Sequence, residues 1–302
     1  MATTSARLYA SGITMWMRYQ LLLLHNRHRD NIAMGLEAGQ PPATNMRKMY
    51  WDYELEMMAE IWARQCQKRH DECRNTIRFN VVQNMDVRPI VARVTEAQLL
   101  ADSVDAWFSG SRALPPDQVF SFKQTNCTGP GSCNAHWYSA VAWSSTWRIG
   151  CSQAICTARK PSCVSFRKRR ESPIESLEIN MYNATQRTVT TDNILRRTKY
   201  VTKSRFGDFD KFPDTTEKKN DEDFVDSPLH RGILKEANAD NKRRKETKFF
   251  AYTFCNYGPA GNIEGFPIYE AGTTCDNCPQ GTQCSDRTYR GLCTLIGDPD
   301  ST

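Results

Sequence analysis

Apolar positions along this chain alternate between two periods. From Met46 to Cys66, "MRKMYWDYELEMMAEIWARQC" places Trp51, Leu55, Met58, Ala59 and Trp62 three and four residues apart, which predicts an amphipathic helix with one broad apolar face. Upstream, "QLLLLHNRHRDNIAMG" reads as another helix, stopped at Gly35 and followed by the loop "GLEAGQPPATN". "TEAQLLADSVDAWF" predicts a third, with Thr95 as N-cap and Leu99, Val104 and Trp107 facing inward. Period two takes over in "SAVAW", leading to "TWRIGC", and in "KFFAYTFCNY" before a Gly-Pro turn, so both read as strands. Helices with antiparallel strands predict an α+β layered domain.

From Val164 to Lys248 the periodicity fades. This stretch holds roughly half of the chain's 40 Lys and Arg and most of its net charge of +6, the composition of a disordered insertion. The overall mean hydropathy of −0.62 fits a packed domain carrying such a segment. Without interleaved aromatics the basic run reads as a solvated loop, so no nucleic-acid partner is expected. Lengthening a loop from roughly 20 to roughly 100 residues costs only about 1–2 kcal/mol, so the core tolerates it. The runs "RKRR" at Arg167–Arg170 and "KRRK" at Lys242–Lys245 flank the segment as accessible protease sites.

The 12 cysteines form an even set, dense toward the C-terminus, which reads as a disulfide framework and an extracellular location. Cys275 and Cys278 have a metal-ligand spacing. However, no second Cys-x-x-Cys or His pair follows, and Gly, Pro and Asp turns surround them, so disulfides are the better reading. "MWMRYQLLLLHN" is interrupted by Arg18 and Gln20, lacks a cleavage site and is shorter than the about 20 apolar residues of a membrane span. No membrane span is expected, and export without a visible leader suggests an incomplete start. Asn126 in "NCT" and Asn183 in "NAT" are glycosylation sequons.

Four stretches in order, "LLHNRHRDNIAMGLEAGQPPATNMRKMYWDYELEMMAEIWARQCQKRHDECR", "VVQNM", "HWYSAVAWSSTWRIGC" and "CNYGPAGNIEGFPIYEAG", resemble the CAP superfamily of cysteine-rich secretory, antigen 5 and pathogenesis-related proteins. The likeness is greatest to its antigen 5-like venom allergens. The resemblance implies an α-β-α sandwich, with the domain at 18–163 and 249–272, the insertion at 164–248, and a cysteine-rich hinge-like extension at 273–302. It also implies a cleft with two histidines and two acids. His70 and His136 match the histidines, whereas Gln83 and Gly110 stand where the acids would be. The family further implies the disulfides Cys66–Cys156, Cys127–Cys133, Cys151–Cys255, Cys275–Cys284 and Cys278–Cys293. Cys73 and Cys163 are left over, and the pairing among Cys66, Cys73, Cys156 and Cys163 stays open.

Two histidines without carboxylates neither complete a tetrahedral zinc site nor supply a general base, so weak zinc binding at His70 and His136 is expected and catalysis is not. His25 and Asn26 read as helix-packing residues, and His28 and His230 lack supporting context. The expected function is that of a secreted, non-enzymatic binding protein whose partner is a protein or a lipid, including sterols. Phe120 and Phe122 in "DQVFSFKQ" are spaced for lipid anchors, but the third aromatic of the family's sterol loop is missing, and two ordinary apolar loop residues is the plainer reading. The rival, a metal-dependent hydrolase using His70 and His136, would need an acid, and Asp71 and Glu72 are the only close sequence neighbours.

Overall fold

The computed structural model describes residues 6–91, 94–124, 134–158, 248–285 and 287–298. The expected insertion, apart from Lys248, lies outside them. So do both multibasic runs, His230, Asn126, Asn183, Cys127, Cys133 and Cys163.

Three helices begin where a side chain can accept an otherwise unpaired backbone N–H. Thr14 caps α1 (Met15–Ala33), Asp52 caps α2 (Tyr53–Ala63) and Thr95 caps α3 (Glu96–Phe108), each accepting from the N–H three residues on. Glu54 and Glu56 in the first turn of α2 also favour its dipole. The helix expected from Met46 therefore starts only at Tyr53. The backbone before Asp52 is drawn into extended pairing, Lys48 N–H with the Cys293 carbonyl (3.0 Å) and Tyr50 N–H with the Trp147 carbonyl (2.8 Å). Trp51 accordingly belongs to a short strand rather than to the helical face, and α2 buries Leu55, Glu56, Ala59 and Ala63.

A second expectation is reversed. "SAVAW" lies largely within a helix, α4 (Asn134–Ala142), in which Tyr138 to Ala142 are all buried. A short run buried on every side carries no periodic signal, so alternation there could not tell a strand from a helix. "TWRIGC" does enter a strand as expected.

The strands are β1 (Ala6–Ser11), β2 (Tyr50–Trp51), β3 (Val82–Pro89), β4 (Arg148–Ala158) and β5 (Lys248–Gly258). They form one sheet in the order β1-β4-β5-β3, with β2 paired parallel to the start of β4. β5 pairs antiparallel with β4 along its whole length, Arg148 opposite Gly258 and Ala158 opposite Lys248. β1 lies upstream of residue 18, so the sheet reaches further toward the N-terminus than the family motifs do.

Period-two alternation then sorts side chains into two layers. Ile149, Cys151, Cys255 and Tyr257 join the core beneath α1, α3 and α4. Ala154, Cys156 and Phe254 face the other way, against Ala59 and Ala63 of α2. Gly150 is what lets α2 sit so close, because a Cβ there would lie 2.2 Å from the Glu56 nitrogen and 2.5 Å from the Asp52 carbonyl oxygen. The result is an α-β-α sandwich.

Cross-links follow this layering. Cys151 and Cys255 are directly opposed on β4 and β5 and are disulfide-bonded, and Cys66–Cys156 ties the C-terminal end of α2 to its face of the sheet. Their sequence separations are 104 for Cys151–Cys255 and 90 for Cys66–Cys156. In the chain-entropy account, closing a loop of that size is worth on the order of 4–5 kcal/mol. Cys73 is free and exposed among the described residues.

Beneath α1, Arg29 is fully buried and donates to five carbonyls: Arg47 (2.9 and 2.8 Å), Val141 (2.7 Å), Trp143 (2.8 Å), Ser144 (3.2 Å) and Thr146 (3.0 Å). Burial pulls its pKa down to about 9, so it stays charged at neutral pH. One guanidinium thereby fixes the two loops that meet at the start of β4.

The C-terminal extension forms a hairpin of β6 (Thr282–Cys284) and β7 (Cys293–Leu295), held by Cys275–Cys284 and Cys278–Cys293. It docks on the domain through Cys293 N–H to the Met46 carbonyl (2.7 Å) and Gly291 N–H to the Asp30 carboxylate (2.7 Å). Among the described residues no helix is long and apolar enough to cross a membrane.

Candidate functional site

Of the four expected cleft positions, His70 and Gln83 are in direct contact. His70 precedes β3, and its Nδ1 lies 3.1 Å from Oε1 of Gln83 on that strand. The same oxygen accepts the Asp71 N–H (3.1 Å), while the Gln83 Nε2 donates to Oδ1 of Asn256 on β5 (2.9 Å). A backbone N–H can only donate, so Oε1 is the acceptor for both neighbours. His70 therefore carries its proton on Nδ1, which leaves the Nε2 lone pair as the basic end of the ring. Burial lowers the His70 pKa, the Gln83 bond opposes this, and the nearby Arg74 charge lowers it further.

The next residue of β3, Asn84, donates to the Trp137 carbonyl in α4 (2.9 Å) and so ties that helix to the strand. His136 is half-buried, with its ring 5.5 Å from that of Phe122. Its carbonyl accepts from Nδ2 of Asn262 (3.0 Å), whose Oδ1 takes the Ser139 hydroxyl (2.7 Å). Burial lowers the His136 pKa, and the Glu264 charge works against that.

Gly110 sits in the 3₁₀ turn Ser109–Ala113, packed on the first residue of α4. A Cβ there would lie 1.9 Å from the Asn134 carbonyl oxygen and 2.6 Å from its carbon. Close packing on α4 thus leaves no room for a side chain at this position.

This donor set does not fit a complete metal centre. Zinc sites want three or four His, Cys or carboxylate ligands. Here one acidic position holds an amide whose oxygen already accepts two bonds, and the other has no room for a side chain. Among the described residues the one group of three candidate ligands is Cys275, Cys278 and Cys293, whose sulfurs are in disulfides. A hydrolytic water has no carboxylate base at Gln83 or Gly110, and Asp71 turns its N–H, not its acid, toward Gln83.

The aromatic pair is split. Phe122 is fully buried, edge-on to Trp143 at 5.9 Å, and is a core residue, whereas Phe120 is 61% exposed. Two lipid anchors side by side are not formed. His25 is a packing residue: its Nδ1 donates to the Leu21 carbonyl (2.7 Å), and its Nε2 accepts from the Tyr257 hydroxyl (2.9 Å). Asn26 holds both backbone groups of Met49. His28, which had no context in the sequence, stacks on Phe108 at 3.9 Å and pairs with Asp105 at 3.2 Å.

Sequence reasoning missed a groove between α1 and α3. Met17, Leu21 and Leu24 on α1 face Ala97, Leu100 and Ala101 on α3, with Trp16, Gln20, Thr95 and Gln98 at its margin. The small alanines open a cavity of about 230 Å³ with no charged residue in its lining. The signal was present as alanines at spacing four on an otherwise apolar helical face, but it becomes a cavity only when α1 lies opposite.

The cysteine-rich secretory protein family, CAP, matches residues 22–165. Venom allergen 5 of Vespa velutina is 32% identical over 147 residues, which are 47% of this chain and 67% of that protein. Venom allergen 5 of Tityus serrulatus is 23% identical over 296 residues, 94% of this chain. The chain spans about half the length of such curated relatives, 49% of the Tityus protein and 55% of venom allergen 5 of Lycosa singoriensis. The crystal structure of Na-ASP-1 shares the fold, with a TM-score of 0.52 at 18% identity, covering 93% of this chain and 48% of that one.

Proposed function

The chain belongs to the CAP family of cysteine-rich secretory proteins, and from that premise we propose that it is a secreted, non-enzymatic binding protein whose ligand is a slim apolar molecule held between α1 and α3. The observation that carries this reading is the uncharged groove of about 230 Å³ lined by Met17, Leu21, Leu24, Leu100 and Ala101. A dry apolar cavity of about 150 Å³ suffices for benzene. Pockets that enclose drug-sized ligands run to about 300–1,000 Å³, so the groove suits an unbranched alkyl chain better than a fused-ring sterol. Gln20, Thr95 and Gln98 at the margin can hydrogen-bond a polar head.

Secretion is supported by the disulfides, which persist in oxidising compartments. The non-enzymatic reading rests on the cleft, where His70 and His136 lack an acidic partner at Gln83 and Gly110. Zinc at those histidines is expected to be weak, and the hydrolase reading gains no support.

The test is a fluorescence titration of the oxidised full chain with a dansylated undecanoic acid. Wild type should bind saturably, and Ala101→Trp, which fills the groove, should bind at least about ten-fold more weakly. Equal binding by both proteins would refute the groove as the site. A dansylated sterol that competes equally would refute the preference for a slim chain.

A further inference from the structure

A second feature lies near the carbonyls that Arg29 holds, where the loop before β2 meets the loop before β4. Trp147 is contacted by two guanidiniums, with the Cζ of Arg47 at 4.7 Å and that of Arg148 at 4.1 Å from the indole centroid. Tyr50 stands edge-on to the indole at 6.2 Å, with the Arg148 guanidinium 5.9 Å from its ring. Both arginines are half-buried. Burial lowers the pKa of each, and the charge of Arg148 adds to the decrease at Arg47.

The nearby carboxylates are taken. Asp298 is held by Lys48 at 3.1 Å, while Asp52 and Glu54 are both held by Arg78, at 2.8 and 2.6 Å. Asp52 still exerts some attraction on Arg148, and Arg78 offsets it. Among the described residues neither Arg47 nor Arg148 forms an ion pair, and the Arg148 Nε is buried without a hydrogen-bond partner. Unsatisfied buried donors are rare in folded proteins and unfavourable for them.

The backbone beneath these side chains is rigid. The Arg47 N–H donates to the Ser144 carbonyl (3.3 Å), and its own carbonyl takes two bonds from Arg29. Trp147 donates to Gly258 (3.1 Å), and β2 pairs Tyr50 with Arg148. Two guanidiniums that form no ion pair among the described residues, held on hydrogen-bonded backbone against one indole, are the donor type that binds oxyanions.

We infer that Arg47, Arg148 and Trp147 form an anion-binding site, lined by other residues than the apolar groove, that takes a phosphate- or sulfate-type group on the guanidiniums of Arg47 and Arg148.

The test is calorimetry of the full-length oxidised chain with inorganic phosphate, against sodium chloride of matched ionic strength. Arg47→Gln and Arg148→Gln are compared with wild type, their folding checked by near-ultraviolet circular dichroism. In parallel, the Arg148 Nε–H signal of the wild type is followed by NMR, which needs no substitution. Saturable phosphate binding that weakens at least about ten-fold in each variant, with a saturating shift of that signal, supports the site. A second arm uses phosphatidylcholine vesicles with and without phosphatidic acid. Binding only to the phosphatidic acid vesicles, lost in both variants, would assign the oxyanion to a lipid headgroup. Absence of binding in both arms, unchanged affinity in the variants, or an Arg148 signal that ignores the ligand would each overturn the inference.

Discussion

Restoring an acid at Gly110 looks, from the sequence, like the way to rebuild a metal site. The structure predicts that it damages the fold. The cleanest probe is Gly110→Ala, which adds only the Cβ. That atom would fall 1.9 Å from the Asn134 carbonyl oxygen, 2.6 Å from its carbon and 3.1 Å from the Tyr138 Cβ. Optimal carbon contacts lie near 3.5–4.0 Å, so an overlap of about 1.5 Å must be relieved. No rotamer can relieve it, because the partner is backbone at the start of α4. Overpacking of this kind typically loses about 1–3 kcal/mol, whereas Gly→Ala at an ordinary backbone angle would otherwise gain about 0.4–1 kcal/mol. A net loss of about 1–2 kcal/mol corresponds to a fall in Tm of roughly 2–8 °C for a domain of this size. Thermal unfolding followed by circular dichroism, on oxidised protein at neutral pH, reads this directly. Gly110→Glu should be at least as unstable and should gain no zinc affinity over wild type. A Gly110→Ala variant as stable as wild type would show that the turn and α4 can separate freely, and that a side chain has room at this position.

Two further outcomes follow from hydrogen bonds at single sites. Gln83→Glu should raise the His70 pKa by about one unit or more, because a carboxylate replaces the amide oxygen beside its Nδ1–H. It should also lose about 1–3 kcal/mol, because Asn256 Oδ1 loses its donor; an unchanged His70 titration by NMR would contradict the contact between His70 and residue 83. His25 is fully buried, and burial lowers its pKa from 6.5 to about 3, against the opposing Leu21 bond. Below pH 6.5 the unfolded chain takes up the proton and the native state does not, so this contribution is complete above the unfolded pKa and is lost as pH falls from 6.5 toward 3. Urea unfolding at pH 7, 5 and 4 should show stability falling across that window, and His25→Gln should flatten the fall; an equal slope in both proteins would refute the linkage.

Much of the architecture was legible because its signals are local. Thr95 caps α3 as its position suggested, Leu99, Val104 and Trp107 face inward, and the alternation of "KFFAYTFCNY" survives as β5. Of the four cleft positions that the motifs named, the structure bonds His70 to Gln83 directly. Failures came where burial erased periodicity, as in α4, or where a distant partner captured a segment. Residues Met46–Asp52 are helical by pattern but are extended against Trp147 and Cys293.

The amino-acid sequence alone determined the Thr95 cap, the two periods and the reading of the cysteines as a disulfide framework, since each is encoded in composition or within a few neighbouring residues. Only the tertiary structure decided why Gly110 must stay small, which proton His70 carries, where α1 and α3 leave a groove, and that Arg47 and Arg148 share one indole. Those properties depend on contacts such as Gln83 with Asn256, 173 positions apart. A sequence pattern reports preferences of short segments, whereas volume, hydrogen-bond direction and charge compensation are settled by whichever distant atoms close packing brings into reach.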